Sequence, residues 1–178
     1  MDSINKILII EDNPNDVLLI QHELNKAFSN IIYIVANSKA DYREKIKLAK
    51  PDLILCDFDL PDGNGLDILL EIRRTTDTPF IFVSGTLDKG SYFTDAILGG
   101  ADDYQLKDNI PMLSKQIEKI LKVARVREDQ RKERSKVLRT ASLDIQKIKG
   151  LIEMDQFDKK KVIGILNDLQ NKMDELSD

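Results

Sequence analysis

The run Leu53-Ile54-Leu55-Cys56, followed at once by Asp57, constrains this chain more than any other stretch. Four consecutive apolar residues without alternation are too few for a helix core. They describe a strand buried on both faces, as central strands of parallel sheets are. The strand stops on a carboxylate, and Pro61 and Gly63 turn the chain after it. In open α/β sheets, sites form beyond the carboxyl ends of the strands, so Asp57 stands where chemistry is usually done.

Similar runs recur on both sides of it. Lys6–Ile10 predicts a first buried strand, ending on Glu11-Asp12-Asn13-Pro14. Asn13 or Asp16 caps the following helix, whose apolar face is read as Val17, Leu18, Ile20, His22, Leu24 and Ala27. Ile31–Ala36 is a second β-rich run, and Ser38 caps a helix over 39–49 with Ala40, Ile46 and Ala49 inside. Leu66, Ile68, Leu69 and Ile72 carry a third helix. Pro79 opens the strand Phe80–Val83, which ends on Ser84-Gly85. Tyr92, Phe93, Ala96 and Ile97 suggest a fourth helix, stopped by Gly99-Gly100. Asp102–Leu106 is a short fifth strand ending on Lys107, and a helix begins near Ile110-Pro111. Strands alternating with helices at this spacing predict a doubly wound α/β domain with a five-stranded parallel sheet.

That topology gathers Glu11, Asp12, Asp57, Ser84 and Lys107 at one sheet edge. Three crowded carboxylates repel one another and invite a hard divalent cation with oxygen ligands, for which magnesium is the natural choice. A lysine and a hydroxyl beside them can grip the oxygens of a phosphoryl group.

The ordered set Glu11-Asp12, Asp57, Ser84 and Lys107 closely resembles the receiver domain of two-component response regulators, over about residues 5–122. The resemblance implies a flavodoxin-like, CheY-like fold in which Asp57 accepts a phosphoryl group from a phosphohistidine of a sensor histidine kinase or histidine-phosphotransfer protein. It further implies that Asp12 and Asp57 ligate Mg2+, with Glu11 assisting through water and the backbone carbonyl of Asp59 completing the protein ligands. Ser84 matches the hydroxyl that moves onto the phosphoryl group, Tyr104 the switch aromatic, and Lys107 the lysine that pairs with the phosphoryl oxygens. Pro61 and Gly65 match the loop after the acceptor. One departure is Asp108, where the family usually has proline. Such a protein is a signalling switch rather than an enzyme, although it catalyses its own phosphoryl transfer and slow autodephosphorylation. A rival reading is a small magnesium-dependent phosphohydrolase with Asp57 as nucleophile and Asp59, two residues on, as general acid.

Composition excludes other chemistry. With a single histidine and a single cysteine, zinc sites and Cys/His nucleophile schemes have nothing to work with. Cys56 lies inside the buried run and is a small core residue, and His22 is an ordinary helix residue. Asp62-Gly63-Asn64-Gly65 fits neither a P-loop nor a dinucleotide fingerprint. No apolar run spans a membrane, and the N-terminus lacks a signal-peptide pattern, so a cytoplasmic location is expected. A net charge of -4 makes nucleic acid an unlikely partner.

After residue 122 the strand pattern ends. Leu113, Ile117, Ile120 and Ala124, then Arg127, Arg131 and Arg134, then Leu138, Ala141, Ile145, Ile148 and Ile152 recur at steps of three and four, a heptad-like stripe. Between Lys122 and Arg139 lie eight basic and three acidic residues. Asp155 or Asp158 can cap a last helix, with Val162, Ile165, Leu166, Leu169, Met173 and Leu176 on one face. The domain organisation expected is therefore a receiver over 1–122 and, over 123–178, a long helix continuing into a hairpin. That tail is a coiled-coil, homodimerisation or docking element, or the start of a longer hybrid sensor protein. It is too short for a winged helix and contains no histidine for phosphotransfer.

Overall fold

The computed structural model describes residues 4–85, 90–153 and 159–174, without the side chains of 90–93, 151–153, 159, 172 and 173. Five strands, β1 (Lys6–Ile10), β2 (Ile32–Ala36), β3 (Leu53–Cys56), β4 (Phe80–Ser84) and β5 (Asp103–Leu106), form one parallel sheet in the order β2-β1-β3-β4-β5. Between them run α1 (Pro14–Ala27), α2 (Lys39–Ala49), α3 (Gly65–Arg73) and α4 (Gly90–Leu98). A 3-10 turn over Lys107–Met112 leads into α5 (Leu113–Glu153), and α6 (Lys159–Asp174) follows. This is the doubly wound sheet expected, with β3 at its centre and β1 and β4 on either side.

Strand side chains alternate between two faces, and both are covered. Ile7, Ile9, Leu53, Leu55, Ile81 and Val83 point toward Val17, Ile20 and Leu24 of α1 and Leu113 and Ile117 of α5. Leu8, Ile10, Ile54, Cys56, Phe80 and Phe82 point toward Tyr42 of α2, Ile68, Leu69 and Ile72 of α3 and Ala96 of α4. Each large side chain buried in this way stabilises the fold by about 1.5–3 kcal/mol. Phe58, Phe80 and Phe82 make tilted and edge contacts, with centroids 5.3 and 5.0 Å from Phe82.

The helices differ in detail from the sequence expectation. Asn13, not Asp16, caps α1, its side chain accepting a hydrogen bond from Asn15 N at 3.0 Å. Residues 17, 20 and 24 follow the helical period, so Leu18 rotates out to 63% exposure and His22 is exposed. In α2 Tyr42 joins the buried Ala49 and the half-buried Ile46 on the inner face, as expected for the last two, whereas Ala40 is exposed. Helix formation near Pro111 begins with the 3-10 turn, α5 starting only at Leu113. Tyr92, Phe93, Ile152 and Met173 are residues whose side chains lie outside the described residues, and Asp155, Asp158 and Leu176 lie wholly outside them.

Asp102 does structural work at the other edge of the sheet. Its Oδ2 accepts from Phe80 N and from Arg73 Nη2, each at 2.9 Å. Arg73 also donates to Gly100 O at 2.8 Å and Thr78 O at 2.7 Å. One guanidinium thereby ties the end of α3 to the starts of β4 and β5.

The chain divides into two units at Ala124/Arg125. In the second unit the sheltered face of α5 runs through Val137, Ala141, Asp144 and Ile148, while Leu138 and Ile145 on the expected stripe are 59% and 49% exposed. On α6, Leu169 is buried and Val162 and Ile165 half-buried, whereas Leu166 is 51% exposed. The described residues of the tail are helical as expected, and their sheltered side differs from the heptad stripe.

Candidate functional site

Two strand ends bring the acidic residues together. Beyond β1 the pairing continues for one residue, Glu11 N donating to Ala36 O at 2.8 Å. Beyond β3, Asp57 N donates to Ile10 O at 2.8 Å, which fixes the Asp57 backbone beside Glu11. Glu11, Asp12 and Asp57 each offer an oxygen within 4.8 Å of the others, the first and third buried and Asp12 exposed. Carboxylate oxygens alone suit a hard divalent cation, and the exposed Asp12 gives it an approach from solvent. Glu11 Oε2 is buried and accepts no well-angled hydrogen bond, which fits an oxygen held ready for a cation.

Lys107 reaches into this cluster from the end of β5. Its Nζ stands 2.7 Å from Asp57 Oδ2, 2.7 Å from Glu11 Oε2 and 2.8 Å from Asp16 Oδ2. Gln105 holds the turn from which Lys107 projects, its buried amide donating to Leu106 O and Asn109 O at 2.9 Å. Burial alone would lower the Lys107 ammonium, but hydrogen bonds to Asp16 and Asp57 and the contact with Glu11 override it and raise its pKa. Glu11 is pushed up to about 7, by burial first and by the Asp57 charge, against the lowering contact with Lys107. Three carboxylates thus face one ammonium, with Asp12 beside Glu11 and Asp57, an imbalance that a bound divalent cation would relieve.

Ser84 is buried at the end of β4, in register with Leu106, the residue before Lys107. A Cβ on the neighbouring Gly85 would meet the Lys107 stem at 3.9 Å, so both strand ends share this edge. Tyr104 is half-buried on β5, its ring centroid 6.3 Å from that of Phe82. After the acceptor strand, Asp59–Leu60 and Gly63–Asn64 pair as a small antiparallel ribbon with exposed Pro61 in its turn. Asp59 is exposed, and its N–H lies 3.4 Å from Asp57 Oδ1. Asp62 in the same turn accepts from Lys39 N and Ala40 N at 2.8 and 2.9 Å, fastening the loop to the start of α2. Gly65 packs directly under the acceptor, with its N–H donating to Phe58 O at 2.8 Å.

Among the residues singled out in the sequence, Glu11, Asp12, Asp57 and Lys107 come together directly. Ser84, Asp59 and Gly65 lie on the surrounding strand ends and loop. Asp16 is the member that sequence reasoning took only for a helix cap.

A five-stranded doubly wound sheet with this edge defines a receiver fold. The chain matches the response regulator receiver domain family over residues 7–121 and belongs to it. It is 35% identical to the transcriptional regulatory protein KdpE of Staphylococcus aureus over 122 residues, covering 68% of this chain and 52% of that protein. It is 27% identical to the chemotaxis protein CheY of Thermotoga maritima, covering 67% of this chain and 98% of CheY. Among solved structures, the BeF3-activated receiver domain of Klebsiella pneumoniae RstA is similar at a TM-score of 0.60 and 30% identity, over 66% of this chain and 98% of that one. The chain spans about half the length of KdpE, at 52%, and 43% of BaeR of Escherichia coli. No helix among the described residues is long and apolar enough to cross a membrane.

Proposed function

We propose that this protein is a cytoplasmic phosphorylation switch of a two-component or phosphorelay system. In this reading Asp57 takes a phosphoryl group from a phosphohistidine on a sensor histidine kinase or histidine-phosphotransfer protein. The observation that carries it is the Asp57 carboxylate held between the Lys107 ammonium at 2.7 Å and the Glu11–Asp12 pair. In the transfer, a phosphorus–oxygen bond forms to Asp57 while the bond to the donor nitrogen breaks, its electron pair leaving with the histidine. Lys107 neutralises charge on the phosphoryl oxygens, and the buried Ser84 supplies a hydroxyl donor from the end of β4. Asp12, Asp57, Glu11 through water, and the Asp59 carbonyl would hold Mg2+, which when bound adds positive charge at the same oxygens. Tyr104 changes position with the β4 end and reports the charge on Asp57 to the domain surface.

Residues 1–122 form the receiver, and 123–178 serve as a dimerisation or docking element. Support for the second role comes from Leu138, Ile145 and Leu166, apolar residues of the helical unit that are 59%, 49% and 51% exposed. Sedimentation of the full chain should give a concentration-dependent dimer that Leu138→Glu weakens, and a monomer at all concentrations would contradict it.

Incubation with acetyl phosphate and Mg2+ tests the acceptor. The expected result is one acid-stable, base-labile phosphoryl group per chain in wild type and none in Asp57→Asn. Rapid multiple turnover of a phosphate ester would instead favour a hydrolase.

A further inference from the structure

Lys107 is shared with a carboxylate that lies outside the Glu11–Asp12–Asp57 triad. An ammonium has three N–H groups. Here Asp57 and Asp16 accept hydrogen bonds from it at 2.7 and 2.8 Å, and Glu11 Oε2 stands at 2.7 Å as an ion-pair partner without the angle of a hydrogen bond. Asp16 occupies the first turn of α1, held there by the Asn13 cap, and its side chain is 25% exposed. The helix N-terminus favours its negative charge and the cap fixes its backbone, so the Asp16 carboxylate is built into the fold.

We propose that Asp16 is a positioning residue that restrains Lys107 and weakens its pull on the phosphoryl group, setting the rate at which Asp57 is phosphorylated. The inference rests on the reading of Asp57 as acceptor given above. A phosphoryl group arriving at Asp57 must draw on an ammonium that already donates to Asp57 and Asp16 and is paired with Glu11. It must also approach a cluster in which Asp16 adds a fourth negative charge. Both effects oppose an anionic donor, and both act through Lys107 and the local field rather than by contact with the reacting phosphorus. With acetyl phosphate, the phosphorus–oxygen bond to the acetyl group breaks, acetate leaves with the electron pair, and a carboxylate oxygen of Asp57 forms the new bond. Asp16 is unchanged by the step.

The test is the rate of phosphorylation by acetyl phosphate at saturating Mg2+ for wild type, Asp16→Asn, Asp16→Ala and Asp16→Glu, at low and high salt. Asp16→Asn and Asp16→Ala should both react about three- to tenfold faster than wild type, the scale of one partly exposed charge removed from beside the reacting group. The gain should shrink at high salt, and Asp16→Glu should return toward the wild-type rate. Loss of an acid from the first turn of α1 lowers thermal stability slightly, so a merely structural role cannot make the variants faster. Rates equal to or below wild type in both neutral variants would overturn the proposal. Absence of labelling in wild type, or labelling that persists in Asp57→Asn, would instead overturn the acceptor assignment on which it rests.

Discussion

Gly65 approaches Asp57 so closely that a Cβ built on it would stand 2.5 Å from the Asp57 carbonyl oxygen. The same Cβ would lie 2.8 Å from the Phe82 ring and 2.9 Å from Cys56 Sγ. Two of these neighbours are strand backbone and a fully buried side chain, so neither can move aside cheaply. Gly65→Ala should therefore cost about 1–3 kcal/mol of stability, as overpacking in a filled core does. Urea unfolding measures it, and the surviving folded protein should label more slowly at Asp57 because the acceptor backbone is displaced.

Glu11 makes stability depend on pH. Its carboxyl has an ordinary value of 4.5 and is pushed up to about 7 in the folded chain. Between those values the folded state holds a proton that the unfolded state has released. The favourable contribution is thus complete below about 4.5 and is lost as pH rises through about 7. In metal-free buffer, Glu11→Gln should be more stable than wild type at pH 8, by about 3 kcal/mol at most. The difference should narrow toward pH 4.5. Paired thermal melts across this range check the sign, and a gap that widens toward low pH would contradict it.

The Arg73 clamp should matter to stability and not to chemistry. Arg73→Ala removes the donors facing Gly100 O, Thr78 O and Asp102 and leaves the half-buried Thr78 and Asp102 acceptors behind. A loss of about 2–4 kcal/mol is expected in chemical denaturation. The rate of Asp57 labelling in the folded variant should stay at the wild-type value, since the clamp sits at the amino-terminal edge of the sheet.

Asp62 should couple the acceptor loop to cation binding. Its two oxygens receive the N–H groups of Lys39 and Ala40. Asp62→Ala should loosen the loop that carries the Asp59 carbonyl and weaken Mg2+ binding several-fold, measured by calorimetry. Unchanged affinity would show that the loop holds its place without this cap.

The strand ends were legible because parallel strands buried on both faces write themselves as apolar runs, and each run stops on its functional residue. Glu11, Asp12, Asp57 and Lys107 follow from that rule alone. Asp16 does not, because its partner Lys107 lies 91 positions away and no local spacing relates them. Helix faces were harder. Leu18 and Val17 are equally apolar, and only packing against the sheet decides that Val17 turns inward. The tail misled for a related reason: Leu138 and Ile145 keep a heptad spacing, yet the sheltered face of α5 includes the charged Asp144. The short ribbon after β3 is held by Asp62 and Gly63, whose φ of 145° only glycine adopts readily, and it carried no hydrophobic signal at all.

The central claim is that Asp57 is the phosphoryl acceptor, and peptide mapping by mass spectrometry after acetyl phosphate treatment with Mg2+ tests it most directly. The account predicts a single modified residue, Asp57, with the label absent from Asp57→Asn and strongly reduced in Lys107→Ala. A phosphoryl group mapped to any other residue, or one retained in Asp57→Asn, would contradict it.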